Sequence, residues 1–479
     1  MKGIDIGIVV LYMIGMLAVG VLVSRKQSSM ETYYVAGRRL GTVSIACLWV
    51  SCWIGGASVI GTSAKAYDMG VTAVWYVGIL AVGCAVFALV FAKKVKVIGD
   101  QLQNLSYPDF IEARYDGNCR LIATVCTLIG MIGVTSSQLV ASGSILNTIT
   151  GWGNGPSFAA AAVVLILYTS LGGYLAVTYT DWIQVFLLIM GIVIGVPFAA
   201  HAMGGLDRIT ELPSGYFDVG AWGWPTIAAF ALSSLLSFFT TMDSYTRCMA
   251  AKDAATARKG GILAACLILP IALGATYEGM AAKVLLPDLA DGNNALIRLI
   301  LATFPTGVRG LVITGIFAAI MSSADISILT ASANITRDIY QRYVRPDAPD
   351  RKIVRIGVLS SLFVGAVSLL TAWLNPDIMD ILLITFTFLS AGLFVPTFCG
   401  FFWKRAGTAA AFYSMLLSMI TVTVWYAGNL LGWGAVFAVD ALWPGLAVSL
   451  VVFLGLTLTS RQSEEEKKRI EEIWFRKER

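Results

Sequence analysis

The chain has 479 residues, 57% of them hydrophobic and 13% charged, with a mean hydropathy of +0.77 and a formal net charge of +5. A water-soluble domain cannot hide that much apolar surface, and the small positive balance needs no nucleic-acid partner to explain it. The apolar stretches are continuous rather than alternating, which excludes a barrel and leaves an all-α polytopic membrane protein.

About thirteen spans of roughly twenty residues are predicted: residues 4–24, 43–67, 71–92, 121–150, 156–175, 180–202, 222–246, 260–285, 308–342, 353–373, 379–403, 407–431 and 439–460. The first, Ile4–Ser24, is too long for the apolar core of a signal peptide and lacks a small-residue cleavage site, so it reads as a retained helix. Alternate loops carry Arg25, Lys26, Arg38 and Arg39, then Lys93, Lys94 and Lys96, then Lys252, Arg258 and Lys259, then Arg337 to Arg355, then Lys404 and Arg405. The other loops and span ends hold only Lys2, Lys65, Arg208, Lys283, Arg298 and Arg309 of the 34 basic residues. By the positive-inside rule the N-terminus is expected outside and the C-terminus in the cytoplasm, in a plasma (inner) membrane. Residues 1–460 form one transmembrane domain, and 461–479 read as a charged cytoplasmic tail with an amphipathic helix. The eight cysteines show no ligand spacing, and His201 is the only histidine. No nucleophile–base constellation or metal motif appears, so an enzyme is not expected.

In such a bundle, function shows as polar groups and helix breakers at membrane depth. The span from Leu48 to Gly70 has Gly55 and Gly56 in its middle, flanked by Ser51, Ser58, Thr62 and Ser63. Those glycines either free carbonyls for a cation or let helices pack closely. In the span of 308–342, Ser322 and Ser323 are adjacent and Asp325 shares a face with Ser322. Serines usually bond back to their own helix, whereas an aspartate costs about 2.5–3.5 kcal/mol at a helix centre. Asp181 opens a long apolar helix after Gly172 and Gly173, where an N-cap is the plainer reading. Thr240, Thr241, Asp243 and Ser244 share one apolar segment, with Arg247 one turn from Asp243 as a salt-bridge partner. Glu278 lies near a helix end, where it is expected to snorkel.

GGYLAVTYTDWIQ (Gly172–Gln184), YYVAGRRLG (Tyr33–Gly41), the AAIMSS run followed by TRDIY (Ala318–Tyr340) and RCMAAKD resemble the sodium:solute symporter family over about 400 residues. CWIGGASVIGTSAKAY and MSSADISIL are closest to its high-affinity choline-transporter-like branch. The resemblance implies a LeuT-type fold of two inverted five-helix repeats, about 43–202 and 222–403. It further implies sodium held by the carbonyls of Ser51, Ile54 and Ala319 and the hydroxyls of Ser322 and Ser323, an all-oxygen set that suits a hard cation. In the family the aspartate matching Asp181 supports sodium coupling, which displaces the plain cap.

Three departures stand out. Sialic-acid-transporting members bind a second ion with hydroxyls where this chain has Asp325 and Ile326, so Asp325 is expected to ligate a second cation or carry a proton. Those members hold the substrate carboxylate with an arginine where the span of 121–150 offers Ser136, Ser137 and Gln138. Choline-transporting members build an aromatic cage, of which Trp53 matches one wall while Val134 and Thr241 stand where tryptophans belong. Trp53, Gly55, Ser58, Gln138 and Asp243 are the expected substrate residues. The reading is a sodium-coupled symporter that imports a small polar solute, a cationic or zwitterionic nitrogen compound, with the ion, the solute and the lipid bilayer as its partners. The alternatives are a solute sensor on the same fold, or a symporter for a sugar or monocarboxylate.

Overall fold

The computed structural model describes residues 3–24, 38–104, 106–460 and 462–474, and the described residues form helices joined by short loops. In chain order the long elements are α1 (Gly3–Ser24), α2 (Thr42–Trp53), α3 (Gly56–Met69), α4 (Val74–Val90), α5 (Ala92–Leu102), α6 (Tyr107–Arg114), α7 (Gly117–Thr150) and α8 (Asn154–Met203). They continue as α9 (Trp224–Ser237), α10 (Met242–Ala250), α11 (Ala254–Leu285), α12 (Ala295–Thr303), α13 (Val308–Ala333), α14 (Asp350–Leu374), α15 (Ile378–Phe402), α16 (Thr408–Leu430), α17 (Leu442–Thr459) and α18 (Glu464–Ile473). By length and composition, nine of the described helices can cross a membrane, or ten with the bent pair α9/α10 counted as one span. The shorter apolar stretches Gly3–Tyr12, Thr42–Trp53 and Asn154–Ile166 fall at three more of the expected positions.

Polar side chains start the helices where the sequence leaves the apolar phase. Asp116, Asp253 and Asp377 accept from the first-turn N–H groups of Cys119, Thr256 and Met379 at 2.7–2.8 Å, which satisfies donors that a helix end leaves open. Ser106 and Asp109 close a reciprocal capping box on α6. Gly151 and Gly204 end α7 and α8 in the left-handed conformation, at φ +76° and +90°. The spans expected at 156–175 and 180–202 share one helical backbone, and the side chains of 170–182, Asp181 among them, lie outside the described residues.

The bundle is built around α13. In the most apolar stretch of Val308–Val344, 94% of residues are buried, against 28% in Leu442–Thr459, so α13 is central and α17 peripheral. α13 packs on α7, α8 and α14. Past Ala333 it continues as a π-helix over Asn334–Val344, a winding often met at functional positions.

Two spans are interrupted. The first breaks between α2 and α3, where Ile54 (φ −110°, ψ 73°) and Gly55 (φ −81°, ψ 173°) leave helical geometry. The second breaks at residues 238–241 between α9 and α10, which meet at a bend of 42°. A backbone bridge ties their ends on the basic-loop face, with Leu40 N–H donating to Ala250 O and Lys252 N–H donating to Leu40 O at 3.0 Å.

On the same face, Arg120 pairs with Asp109 at 3.0 Å and also meets Glu112 and Asp338, drawing α6, α7 and the π-helix together. The expected tail helix is α18, and it docks on this face. Arg469 donates to Tyr115 O at 2.6 Å, and Glu466 accepts from Thr408 N–H and Oγ1 at 2.9 and 2.8 Å. Trp474 packs edge-on against Phe401, with centroids 4.8 Å apart. Glu278, expected to snorkel, is instead fully buried in α11. The missing side chain of Gly195 makes its room, since a methyl there would lie 2.8 Å from the Glu278 carboxyl carbon.

Candidate functional site

The first helix break faces the serine pair of α13. The N–H of Ser58 bonds to Gly55 O at 3.1 Å, so the carbonyl of Ile54 is released from the helical ladder. The Ser323 hydroxyl donates to Ser51 O at 2.8 Å, and the Ser322 hydroxyl to Ala319 O at 3.0 Å; Ser323 also lies 3.2 Å from Ala319 O. Ser51, Ile54, Ala319, Ser322 and Ser323 are all buried. The Ser51 and Ala319 carbonyls and the two serine hydroxyls, from residues some 270 apart in sequence, therefore meet within hydrogen-bond distance, and oxygen donors are what a hard cation takes.

Close approach at the break requires glycine. A methyl on Gly55 would fall within 2.5 Å of both Ser323 Oγ and the Gln138 amide nitrogen, and one on Gly56 would lie 2.7 Å from Ile320 Cδ1 and 3.0 Å from Ile316 O. The glycine pair thus admits tight packing at a break where the carbonyl of Ile54 stands outside the helical ladder.

Beside this cluster lies a small cavity of about 30 Å³, room for little more than one water. Cys52, Trp53 and Ser58 line it from the first broken span, and Thr241 and Asp243 from the second. Met131, Val134 and Gln138 add one face of α7, Leu382 and Phe386 one face of α15, and Tyr76 a ring from α4. Trp53, Ser58, Gln138 and Asp243 therefore meet as expected, while Gly55 stands behind them at the break. Val134 and Thr241 line the wall as anticipated. Tyr76, Met131, Leu382 and Phe386 did not stand out in the sequence, because each is one apolar residue in an apolar span.

The polar groups divide into those held by their own helices and those that face the cavity. Ser136 and Ser137 bond back to Ile132 O and Val134 O at 2.7 Å, so of that trio Gln138 alone lines the cavity. Its Oε1 accepts from Ala57 N–H at 3.2 Å, at the start of α3. Ser58 bridges the break by donating to Trp53 O at 3.1 Å, whereas Thr62 and Ser63 bond to Ser58 O and Ala275 O and have structural roles. Asp243 is 6% exposed and lies 3.7 Å from the Arg247 guanidinium, a looser pair than a hydrogen-bonded one. The guanidinium also reaches Thr246 Oγ1 at 3.0 Å. One face of Trp53 is covered by Phe238, stacked at 3.7 Å and 11°, so that face is closed to a solute. Asp325 accepts a hydrogen bond from the hydroxyl of Thr169 on α8.

On the face opposite the basic loops, a wider cleft of about 180 Å³ is lined by Lys65, Asp68, Asp291, Asp377 and Asp380. It shares α3 and α15 with the inner cavity, so the two lie along the same pair of helices.

The Sodium:solute symporter family model matches residues 33–418. The chain belongs to that family. This symporter is 24% identical over 464 residues to the sodium/pantothenate symporter of Escherichia coli (strain K12), covering 93% of this chain and 94% of the relative. It is 25% identical to the high-affinity proline transporter PutP of Bacillus subtilis (strain 168), covering 94% and 97%. Its structure superposes on the substrate-bound outward-open state of a Na+-coupled sialic acid symporter with a TM-score of 0.80 at 24% identity, covering 96% and 98% of the two chains. The fold is the LeuT type, and the protein is a multi-pass sodium-coupled symporter for a small solute.

Proposed function

We propose that this symporter imports a small zwitterionic nitrogen compound of amino-acid type, together with sodium. The observation that carries the reading is that the Asp243 carboxylate and the Gln138 carboxamide both line one cavity directly beside the oxygen cluster. The solute's ammonium pairs with Asp243, and its carboxylate takes the N–H donors of Gln138. The Trp53 ring, which lines the cavity, supplies an aromatic surface for the cation. Sodium is held by the carbonyls of Ser51, Ile54 and Ala319 and the hydroxyls of Ser322 and Ser323. Asp181 and Asp325 serve coupling or a second cation.

The two repeats, about 43–202 and 222–403, each begin with a broken span, and they rock around the fixed midplane sites. The basic-loop face is cytoplasmic, so sodium entering down the potential contributes about 2.3 kcal/mol per 100 mV. A solute of amino-acid size exceeds the present cavity, so binding requires the walls around Phe238 and Phe386 to part. Proline transport by a relative accords with a zwitterion, whereas the Asp243 charge disfavours a simple anion such as pantothenate. The motif likeness to the choline-transporter-like branch does not extend to the solute, because Val134 and Thr241 leave the cage without two of its rings.

The test is uptake into proteoliposomes under an inward sodium gradient, comparing labelled proline and other amino acids with pantothenate, choline and a neutral sugar. Sodium-dependent accumulation of a zwitterion supports the reading; accumulation of only the anion or the sugar overturns it. Absence of all uptake favours the solute sensor.

A further inference from the structure

Glu278 is a carboxyl that neither the oxygen cluster nor the solute cavity uses. It lies in α11, is 1% exposed, and its Oε2 has no hydrogen-bond donor among the described residues. Its shell is apolar. The carboxyl fills the space left by the missing side chain of Gly195 on α8, and the ring of Phe304 comes within 3.5 Å of that same space. Phe198 of α8 stacks on Phe304 with centroids 4.7 Å apart.

No counter-charge reaches it among the described residues. Of the elements packed on α11, α3 turns Lys65 over Trp222 and sends Asp68 into the outer cleft. On α8, α12 and residues 206–211, His201, Arg298, Asp207, Arg208 and Glu211 are exposed. Lys96 of α5 pairs with Asp100, and Arg247 of α10 lies beside Asp243. On α11 itself Lys283 covers Tyr67, while Arg258 and Lys259 are exposed near its start. An ionised carboxylate in such a shell stands alone in a low-dielectric interior, where its charge is costly; the neutral acid is far less so. A metal ion wants several oxygens, and the side chains around Glu278 supply none, whereas a proton needs one.

The site also lies on a joint. A methyl on Gly274, one turn before Glu278, would lie 2.6 Å from Ile192 Cγ2, so α11 and α8 are in close contact here. On its other flank α11 is fastened to α3. A methyl on Gly279 would lie 2.7 Å from Ala66 Cβ, and Ser63 Oγ donates to Ala275 O at 2.9 Å. α3 is the second half of the first broken span, so a movement at that break carries α11 along and works its contact with α8.

We infer that Glu278 is a proton-binding site built into the joint between α11 and α8: the closed joint holds the acid, and an open one lets water take or return the proton. In the open joint the carboxylate accepts a proton from hydronium, forming one O–H bond and releasing water, and the reverse step gives the proton back. By linkage, acid favours the closed joint and alkali the open one. The inference depends neither on the sodium ligands nor on the solute proposed above.

The test uses the proton itself and a reagent for protonated carboxyls, on the purified full chain in detergent. Thermal unfolding is followed from about pH 5 to about pH 8 in the parent and in Glu278→Gln, which is nearly isosteric and never charged. The folded parent holds a proton that the unfolded chain has released, so its folding constant falls with rising pH by about tenfold per pH unit more than the variant's. Glu278→Met, which fills the space without an ionisable group, replaces the glutamine variant if that one does not fold. Dicyclohexylcarbodiimide, an apolar reagent that adds to carboxylic acids, is then applied to the folded parent, and the peptide carrying Glu278 is read by mass. Glu278 is labelled in the folded chain, more slowly in alkali than in acid. Equal pH slopes in parent and variant show that Glu278 binds no proton on folding, and overturn the inference. A steeper parent slope with no labelling until the chain unfolds makes Glu278 a fixed structural acid, and overturns it equally.

Discussion

The serine pair offers the most direct trial of the ion site. Replacing Ser322 and Ser323 by alanine removes two of five proposed ligands and leaves a good helix former at both positions. The change deletes the hydroxyl bonds to Ser51 O and Ala319 O. Each such bond is worth about 0.5–1.5 kcal/mol net, so the two side chains account for roughly 1–3 kcal/mol of stability in potassium. The larger effect is on the ion. If each hydroxyl–sodium contact is comparable to a hydrogen bond to a charged group, about 1.5–3 kcal/mol, losing both weakens sodium by about 3–6 kcal/mol, more than a hundredfold in Kd. Sodium at a hundred times the parent Kd stabilises that protein by about 2.7 kcal/mol, and the double variant should retain well under 1 kcal/mol of that. Thermal unfolding in detergent, in sodium and in potassium, reads both quantities in one experiment. A double variant whose sodium increment equals the parent's would refute the site, however much its baseline stability fell.

Three further outcomes are expected. Asp243→Asn should abolish uptake, and adding Arg247→Gln should not restore it, because their 3.7 Å pair is secondary to the solute contact; recovered uptake in the double variant would make Asp243 a structural partner. Gly56→Ala forces a methyl against Ile320 and Ile316 O and should destabilise by about 1–3 kcal/mol with sodium affinity weakened alongside; unchanged thermal stability would show that the break opens more readily than its packing implies. Asp181→Asn should raise the sodium concentration for half-maximal uptake, since it removes the charge at nearly constant size inside the continuous helix of Asn154–Met203, where no helix end is left for Asp181 to cap; unchanged sodium dependence would show that Asp181 takes no part in coupling.

The two helix breaks show what a sequence reveals and what it hides. Gly55 and Gly56 mark the first as a candidate, although Gly260 and Gly261 sit in an unbroken helix, so paired glycines alone do not tell a break from close packing. The second falls in Phe238-Phe239-Thr240-Thr241, with neither glycine nor proline. There the chain relies on local hydroxyls: Thr240 Oγ1 donates to Ser237 O at 3.1 Å, and the Tyr245 hydroxyl donates to Phe239 O at 2.9 Å. A threonine that satisfies a broken turn looks in sequence like one that decorates an intact helix. Helical phase likewise separates Gln138 from Ser136 and Ser137, although all three are polar and adjacent. Trp53 was legible as an aromatic wall, but Phe238 stacked on one of its faces lies 185 positions away, and so long a pairing leaves no local trace. The same holds for Asp325, whose partner Thr169 comes from another helix, and for Glu278, whose burial depends on the missing side chain of Gly195.

The docked last helix changes what the C-terminus is good for in the laboratory. Trp474 touches Phe401 and Phe110, and both of those rings touch Tyr245, two residues beyond Asp243 on α10. Anything joined after this helix, whether a fluorescent reporter, a purification handle or a surface tether, hangs from a chain of rings that ends two residues from the cavity-lining Asp243. Transport measured on such a fusion therefore calls for the untagged protein as its reference.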